Sequence, residues 1–156
     1  MENGANVSDL YQVAEIELVY RTKVNPSQRP KITNSRETFE ILSKTWNDDK
    51  IEFIEQFKVI FLNRGNRVLG IYELSAGGTC ATICDVKLVF AAAIKSNASS
   101  VILAHNHPSG QLFPSEADKR YTQKLVLAGA LMEIPVLDHL IITRESFYSF
   151  ADNGII

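Results

Sequence analysis

The strongest constraint on the fold is a short, entirely apolar run that ends in two histidines. Residues 101–104 read Val-Ile-Leu-Ala, and they are followed at once by His105, Asn and His107. Four consecutive apolar residues are typical of a strand that is buried on both faces. A Pro-Ser-Gly turn comes next, then a predicted helix at residues 115–131 and a last predicted strand at residues 136–143. A buried strand followed by a helix and another strand indicates a sheet on which helices pack.

The rest of the chain alternates between strand and helix patterns in the same way. Asn34 and Glu37 have capping-box spacing ahead of an apolar helix face. Further predicted elements are a strand at residues 14–23, a strand around Phe57, Val59 and Phe61, a tight bend at Gly65, a paired strand at residues 68–74, a strand at residues 80–83 and a helix at residues 85–96. We therefore expect an α/β fold with one mixed β-sheet. Within one compact unit, residues 1–33 are expected to form an N-terminal extension with an edge strand, and residues 34–156 the main domain.

Composition argues against several broad classes of protein. The chain has 156 residues, of which 46% are hydrophobic and 22% charged, which is typical of a globular domain. No apolar run approaches the roughly 20 residues of a membrane span, so we expect no membrane partner. Cys80 and Cys84 have no other cysteine to pair with, so we expect reduced thiols in a cytoplasmic protein. The net charge of −2 does not support a DNA partner.

His105, His107 and Asp118 form a predicted metal site. The two histidines are two residues apart at the end of a buried strand, so their side chains point to the same side of the sheet. Asp118 falls in the first turn of the next helix, on the stripe that faces inward. A carboxylate at the edge of a buried face requires a positive partner, and a metal ion supplies one. Two imidazoles and one carboxylate also leave a fourth position for water, as in catalytic zinc sites.

Glu55 is the candidate general base. It stands at the head of the strand whose inward face is predicted to carry Phe57, Val59 and Phe61. A carboxylate in register with an apolar face is expected to have a partner or a function. Spacing alone does not bring Glu55 to the histidines.

Ordinary structural roles stay open for several of these residues. Ser115 and Asp118 have the spacing of a helix cap, although a cap would orient a ligand as well. His139 lies in the predicted last strand, where it is expected to be structural or to support the metal ligands from behind. Asn106 and Asp138 are further candidates for such support.

The sequence around these residues resembles the RadC family, within the JAB/MPN-plus (JAMM) metalloprotease superfamily. The superfamily motif is an upstream Glu, then His-x-His, seven residues, Ser, two residues and Asp, and the chain matches it at Glu55, His105, His107, Ser115 and Asp118. The stretch His-Asn-His-Pro-Ser-Gly that begins at His105 is typical of the RadC branch. Deubiquitinating relatives usually carry Ser or Thr at the place of Asn106. The resemblance covers most of the chain from about residue 34 to residue 151.

This resemblance implies a fold, a cofactor and a reaction. The fold is a mixed β-sheet between helices, the JAB/MPN fold of the cytidine-deaminase-like type, and the cofactor is one Zn²⁺ per chain on the two histidines and Asp118. The reaction is hydrolysis of an amide bond in a protein or peptide through activated water, with Glu55 as the base and Ser115 stabilising the oxyanion. RadC proteins often carry an N-terminal helix-hairpin-helix domain, and we expect this chain to be a short single-domain variant without it.

Two other functions stay open at this stage. The family's DNA-repair label suggests a DNA-repair accessory or DNA-processing protein, although the charge of −2 speaks against strong binding to DNA. The other alternative is a non-catalytic interaction module with a structural zinc. Such a module requires neither Glu55 nor Ser115, and both are present.

Overall fold

The described part of the chain forms a five-stranded sheet on which three α-helices pack. A computed structural model of the chain describes Ala14, Glu17, residues 19–76 and residues 85–156. The strands are β1 (Gln56–Leu62), β2 (Val68–Ala76), β3 (Ser100–Asn106), β4 (Val136–Ile142) and β5 (Phe147–Ser149). The α-helices are α1 (Ser35–Thr45), α2 (Val86–Lys95) and α3 (Glu116–Leu131), and a short 3₁₀ helix covers Pro26–Gln28.

β3 is the middle strand of the sheet, whose order is β2-β1-β3-β4-β5. β3 pairs antiparallel with β1, where Phe57 lies opposite His105, and parallel with β4, where Leu103 lies opposite His139. The parallel pair is joined through α3, which makes β3, α3 and β4 a βαβ unit. The mixed α/β sheet expected from the sequence is therefore confirmed.

Helices cover both faces of the sheet, so that β3 is buried along its whole length. One core joins residues of β1 and β3 to α2 and α3: Phe57, Val59, Phe61, Val101, Leu103, Val89, Phe90, Ala93 and Leu125. The other core joins the alternate residues of the strands to α1: Ile60, Leu62, Ile102, Ala104, Leu140, Ile142, Phe39, Leu42 and Trp46. Consecutive residues of β3 thus belong to opposite cores, as the two-residue period of a strand requires.

The helix starts agree with the sequence pattern. Asn34 caps α1 by accepting a hydrogen bond from the amide of Glu37, and Asp85 caps α2 by accepting one from the amide of Lys87. Ser115 caps α3 in a reciprocal capping box with Asp118. Each cap satisfies backbone N–H groups that have no partner within the helix.

Several expectations about local structure were wrong or lie outside the described residues. The described residues between 14 and 23 contain no strand, and the strand expected at residues 80–83 lies outside the described residues. The β1–β2 hairpin is present, but the left-handed residue of its turn is Asn66, with φ 56°, and not Gly65. β5 was missed because its three residues are too few to show a periodic pattern. The division of the chain near residue 33 stays a prediction.

Among the described residues, no helix combines the length and the apolar character needed to cross a membrane.

Gly129 lies where α3 packs closely against the chain that leads into β4. A Cβ atom built on Gly129 would lie 2.6 Å from the backbone carbonyl oxygen of Ile134. Because that neighbour is backbone, Gly129→Ala is expected to lower the free energy of unfolding by about 1–3 kcal/mol, although alanine is the better helix former. Denaturant unfolding of the wild type and the variant would measure this difference in the free energy of unfolding. Gly70→Ala is the control, because a Cβ at Gly70 meets nothing within 4 Å, and equal stability of both variants would contradict this explanation.

Candidate metal centre

Three side chains meet where β3 and the first turn of α3 come together. His105 is the second-last residue of β3, His107 follows the strand, and Asp118 is the third residue of α3. The two histidine Nε2 atoms lie 2.9 Å apart. Asp118 places Oδ1 3.4 Å from Nε2 of His105 and Oδ2 3.7 Å from Nε2 of His107. The three residues each offer one ligand atom, and these atoms lie within 4.8 Å of one another.

The donor set fits a divalent transition metal. Two imidazole nitrogens and one carboxylate oxygen are ligands that zinc accepts, with a further position left open. The site lies beyond the carboxyl ends of the parallel strands β3 and β4, the end at which open α/β sheets bind ligands. The His105 side chain is 2% exposed, against 16% for His107 and 12% for Asp118, so solvent reaches the group from the side of His107 and Asp118.

Both histidines are oriented by partners behind them. Nδ1 of His107 lies 2.6 Å from the carbonyl oxygen of Gln111. A carbonyl only accepts, so Nδ1 donates and a neutral His107 carries its lone pair on Nε2. Nδ1 of His105 lies 2.7 Å from Nε2 of His139. Gly110, with φ 83°, makes the turn that returns Gln111 to His107.

Burial keeps the inner histidines neutral. It is the main cause that lowers the pKa of His105 to about 4, an effect that the charge of Asp118 opposes and that of His107 reinforces. Burial likewise lowers the pKa of His139 well below the usual histidine value. At neutral pH both rings are therefore uncharged, the state in which a ring nitrogen can bind a metal.

Asp118 is held by the cap of its own helix. Its Oδ2 accepts hydrogen bonds from the backbone amide and the hydroxyl of Ser115, each at 2.7 Å, while the Asp118 amide donates back to the hydroxyl at 3.1 Å. Asp118 can therefore take part in the helix cap and still serve as the predicted metal ligand. In this geometry the Ser115 hydroxyl proton is used by Asp118, so an oxyanion role for Ser115 stays a prediction that requires this hydroxyl to turn away.

Asn106 ties the end of β3 to the segment that carries Glu55. Its side-chain amide donates to the carbonyl oxygens of Ile51 and Ile54, both at 2.8 Å, and its Oδ1 accepts from the amide of Gln56 at 2.7 Å. The carbonyl before Glu55 and the amide after it are thus both fixed. The antiparallel register sets Phe57, two residues after Glu55, opposite His105, two residues before His107.

Of the residues expected to support the ligands, Asp138 does not lie behind them. It precedes His139 in β4, so the two side chains point to opposite faces of the sheet. Its carboxylate accepts from the hydroxyl of Ser149 and from the amides of His139 and Ala151. Burial raises the pKa of Asp138, and these hydrogen bonds oppose the rise. Asp138 therefore braces β4 against β5 from the face that lies against α1.

Thr122 is a buried contact of the site that sequence reasoning missed. Its hydroxyl lies 2.6 Å from Nδ1 of His139 and 2.7 Å from the carbonyl oxygen of Asp118. The available signal was its position one helical turn after Asp118, which places both residues on one side of α3.

A cleft of about 300 Å³ opens beside His107. Its walls are the segment before β1, the turn after β3 and the turn after β4, and it is lined by Ile51, Glu52, His107, Pro108, Ser109, Gly110, Thr143, Arg144 and Glu145. Arg144 is held there by Glu52 at 3.2 Å and by Asp48 at 3.6 Å. Of the three proposed ligands, His107 lines this cleft, so the cleft opens onto one side of the metal group.

Asn106→Ala should lower the stability of the fold and loosen the Glu55 segment. The change leaves two carbonyls and one amide without their buried partner, and one such group costs about 1–3 kcal/mol. We expect a clear fall in the free energy of unfolding and faster amide hydrogen exchange at residues 51–56. Asn153→Ala is the control, since among the described residues the Asn153 side chain donates one part-buried hydrogen bond, to Ser149. Unchanged exchange at residues 51–56 would show that Asn106 does not hold this segment.

Comparison with known proteins agrees with this architecture. The family described as RadC-like JAB domain matches residues 32–155. Similar proteins include a UPF0758 protein of Flavobacterium johnsoniae, 43% identical over 92% of this chain and 62% of its own length, and UPF0758 protein STH371 of Symbiobacterium thermophilum, 38% identical over 92% and 60%. UPF0758 protein YfjY of Escherichia coli is 44% identical over 65% of this chain and 64% of its own length.

The chain spans about three fifths of the length of these curated relatives, and their names state no activity. The family match, by contrast, covers nearly all of the sheet and helices described above. The chain belongs to the RadC family and contains its JAB domain.

Proposed function

We propose that this chain is a zinc-dependent hydrolase that cleaves an amide bond in a protein or peptide. The observation that carries the proposal is the convergence of two imidazole nitrogens and one carboxylate within 4.8 Å, at the end of the sheet where a cleft opens. The RadC-like JAB family supports the same class of site. One zinc ion per chain, held by His105, His107 and Asp118, is the proposed cofactor.

Each protein group has a separate task in this reaction. A bound zinc ion would supply a Lewis acid that activates water and polarises the substrate carbonyl. Glu55, two residues before the Phe57 that pairs with His105, takes the proton from the attacking water and delivers it to the leaving amine. Ser115, if its hydroxyl turns away from Asp118, donates to the oxyanion.

Two exposed aromatic side chains in the loops before β1 and α3 favour a polypeptide as the substrate. Phe53 and Phe113 are about four fifths exposed, at 80% and 81%, and both belong to loops that enter the site. Phe53 lies two residues before Glu55, and Phe113 two residues before Ser115. Large exposed aromatic side chains are characteristic of surfaces that bind other polypeptides. We infer that a substrate chain lies between these two loops and contacts both rings.

His107→Ala tests the metal site. His107 is the more exposed histidine of the pair, so its removal is expected to disturb the core less than removal of His105. Purified wild-type protein supplied with zinc should hold one ion per chain, and the variant should lose it. Elemental analysis after gel filtration measures this, with Glu40→Ala, on the exposed side of α1, as control. Full zinc content in His107→Ala would remove His107 from the ligand set.

Glu55→Gln separates catalysis from metal binding. Glutamine has nearly the same shape but cannot accept a proton at neutral pH, so zinc content should stay and hydrolysis should fall by roughly 10²–10⁴-fold. Single-turnover cleavage of a peptide library by zinc-loaded protein is the assay, and Glu40→Gln is the matched control. Cleavage by Glu55→Gln at the wild-type rate would mean that another group is the base. A wild-type protein that binds zinc but cleaves nothing in the library would overturn the proposed hydrolase.

A further inference from the structure

Behind the metal group, three buried side chains form a continuous row of hydrogen bonds. The row runs from the carbonyl oxygen of Asp118 to the Thr122 hydroxyl (2.7 Å), to Nδ1 of His139 (2.6 Å), and from Nε2 of His139 to Nδ1 of His105 (2.7 Å). We call Thr122, His139 and His105 the relay. All three are at most 2% exposed, so water does not replace a lost partner there.

Neutral rings allow two arrangements of protons along the relay. In the first, the Thr122 hydroxyl donates to Nδ1 of His139, Nε2 of His139 donates to His105, and Nε2 of His105 donates to His107. In the second, the hydroxyl donates to the Asp118 carbonyl, Nδ1 of His139 donates to Thr122, and Nδ1 of His105 donates to His139. Each arrangement makes three hydrogen bonds. They differ in what His105 offers to the site, a proton in the first and a lone pair in the second.

We propose that Thr122 and His139 are positioning residues that select between these arrangements and let His105 accept a metal ion. A cation binds only to the second arrangement, in which Nε2 of His105 carries a lone pair; both arrangements hold the same number of protons, so this selection requires no net gain or loss of protons by the pair. The Thr122 hydroxyl turns to the Asp118 carbonyl, which lies within hydrogen-bond distance. No buried donor or acceptor of the relay is left without a partner. The inference rests on the proposed metal site but not on hydrolysis.

Packing holds the rings of the relay in the required orientation. His139 stacks on Phe150, with ring centroids 4.7 Å apart and planes at 18°, and meets the edge of Phe57 at 5.6 Å. Phe57 in turn lies parallel to His105, at 6.1 Å and 5°. A ring flip of His139 would have to break the stack, so the two arrangements differ in proton positions and not in ring orientation.

Substitutions at Thr122 and His139 test the relay through zinc affinity. Valine at position 122 keeps the shape of threonine but leaves Nδ1 of His139 facing a methyl group. A buried N–H without an acceptor is tolerated less well than a bare lone pair, so Thr122→Val favours the arrangement that does not bind metal. Zinc affinity, measured by competition with a chelating dye, should fall by about 10–100-fold, as expected for a residue behind a metal ligand. His139→Phe should show a similar loss, because it removes the partner of His105.

Two controls accompany these variants. Thr122→Ser retains the hydroxyl and should keep an affinity close to that of the wild type. Thr38→Val removes a hydroxyl of another buried threonine, which donates to the Asn34 carbonyl at 3.2 Å on α1, away from the site, and should also leave the affinity unchanged. A Thr122→Val variant that binds zinc with wild-type affinity would overturn the relay but not the proposed metal site. A wild-type protein that binds neither zinc nor cobalt would overturn the proposed metal site, and the relay with it.

The tautomers themselves can be read without any substitution. The chain contains three histidines, so nitrogen-15 spectra of labelled protein resolve each ring. In the zinc-loaded protein, His105, His107 and His139 should each carry the proton on Nδ1. A zinc-loaded protein in which His139 carries its proton on Nε2 would contradict the proposal, whatever the variants show.

Discussion

The complete burial of β3 is the constraint on which the site depends. Because both faces of this strand are covered, the polar groups at its end cannot be hydrated and must find partners within the protein. His105 meets this demand on one face through His139 and Asp118, and Asn106 meets it on the other through the segment before β1. The site is therefore a consequence of ending a buried strand with polar residues at the edge of the sheet.

The two faces of β3 have different roles: one carries a proposed metal ligand, and the other supports the backbone around Glu55. His105 turns to the face of α3, where Asp118 and His139 converge on it. Asn106, one residue later, turns to the face of α1 and fixes the backbone on both sides of Glu55. A strand period of two is what allows adjacent residues to serve opposite layers. The proposed base and the proposed ligands are thus placed by neighbouring residues of one strand, which couples their positions.

The sequence predicted those parts of the site that depend on local periodicity. The spacing of His105, His107 and Asp118 was sufficient because a strand and a helix turn each set the direction of their own side chains. The contacts of Asn106 and Thr122 could not be predicted, since they depend on the register between β1 and β3 and on the depth at which α3 packs. Asp138 was misplaced for a related reason, because its neighbour His139 faces the site and adjacent residues of a strand cannot share a face.

Each proposed ligand has a partner of its own before any metal arrives. Gln111 holds His107, His139 holds His105, and Ser115 holds Asp118 through two hydrogen bonds to one carboxylate oxygen. That oxygen is also near the N-terminus of α3, where the helix dipole stabilises negative charge. Asp118 Oδ1 receives neither of the Ser115 hydrogen bonds and lies closer to His105 than Oδ2 lies to His107. Since the fold has already ordered the three side chains, little of the free energy of metal binding would be spent on arranging them.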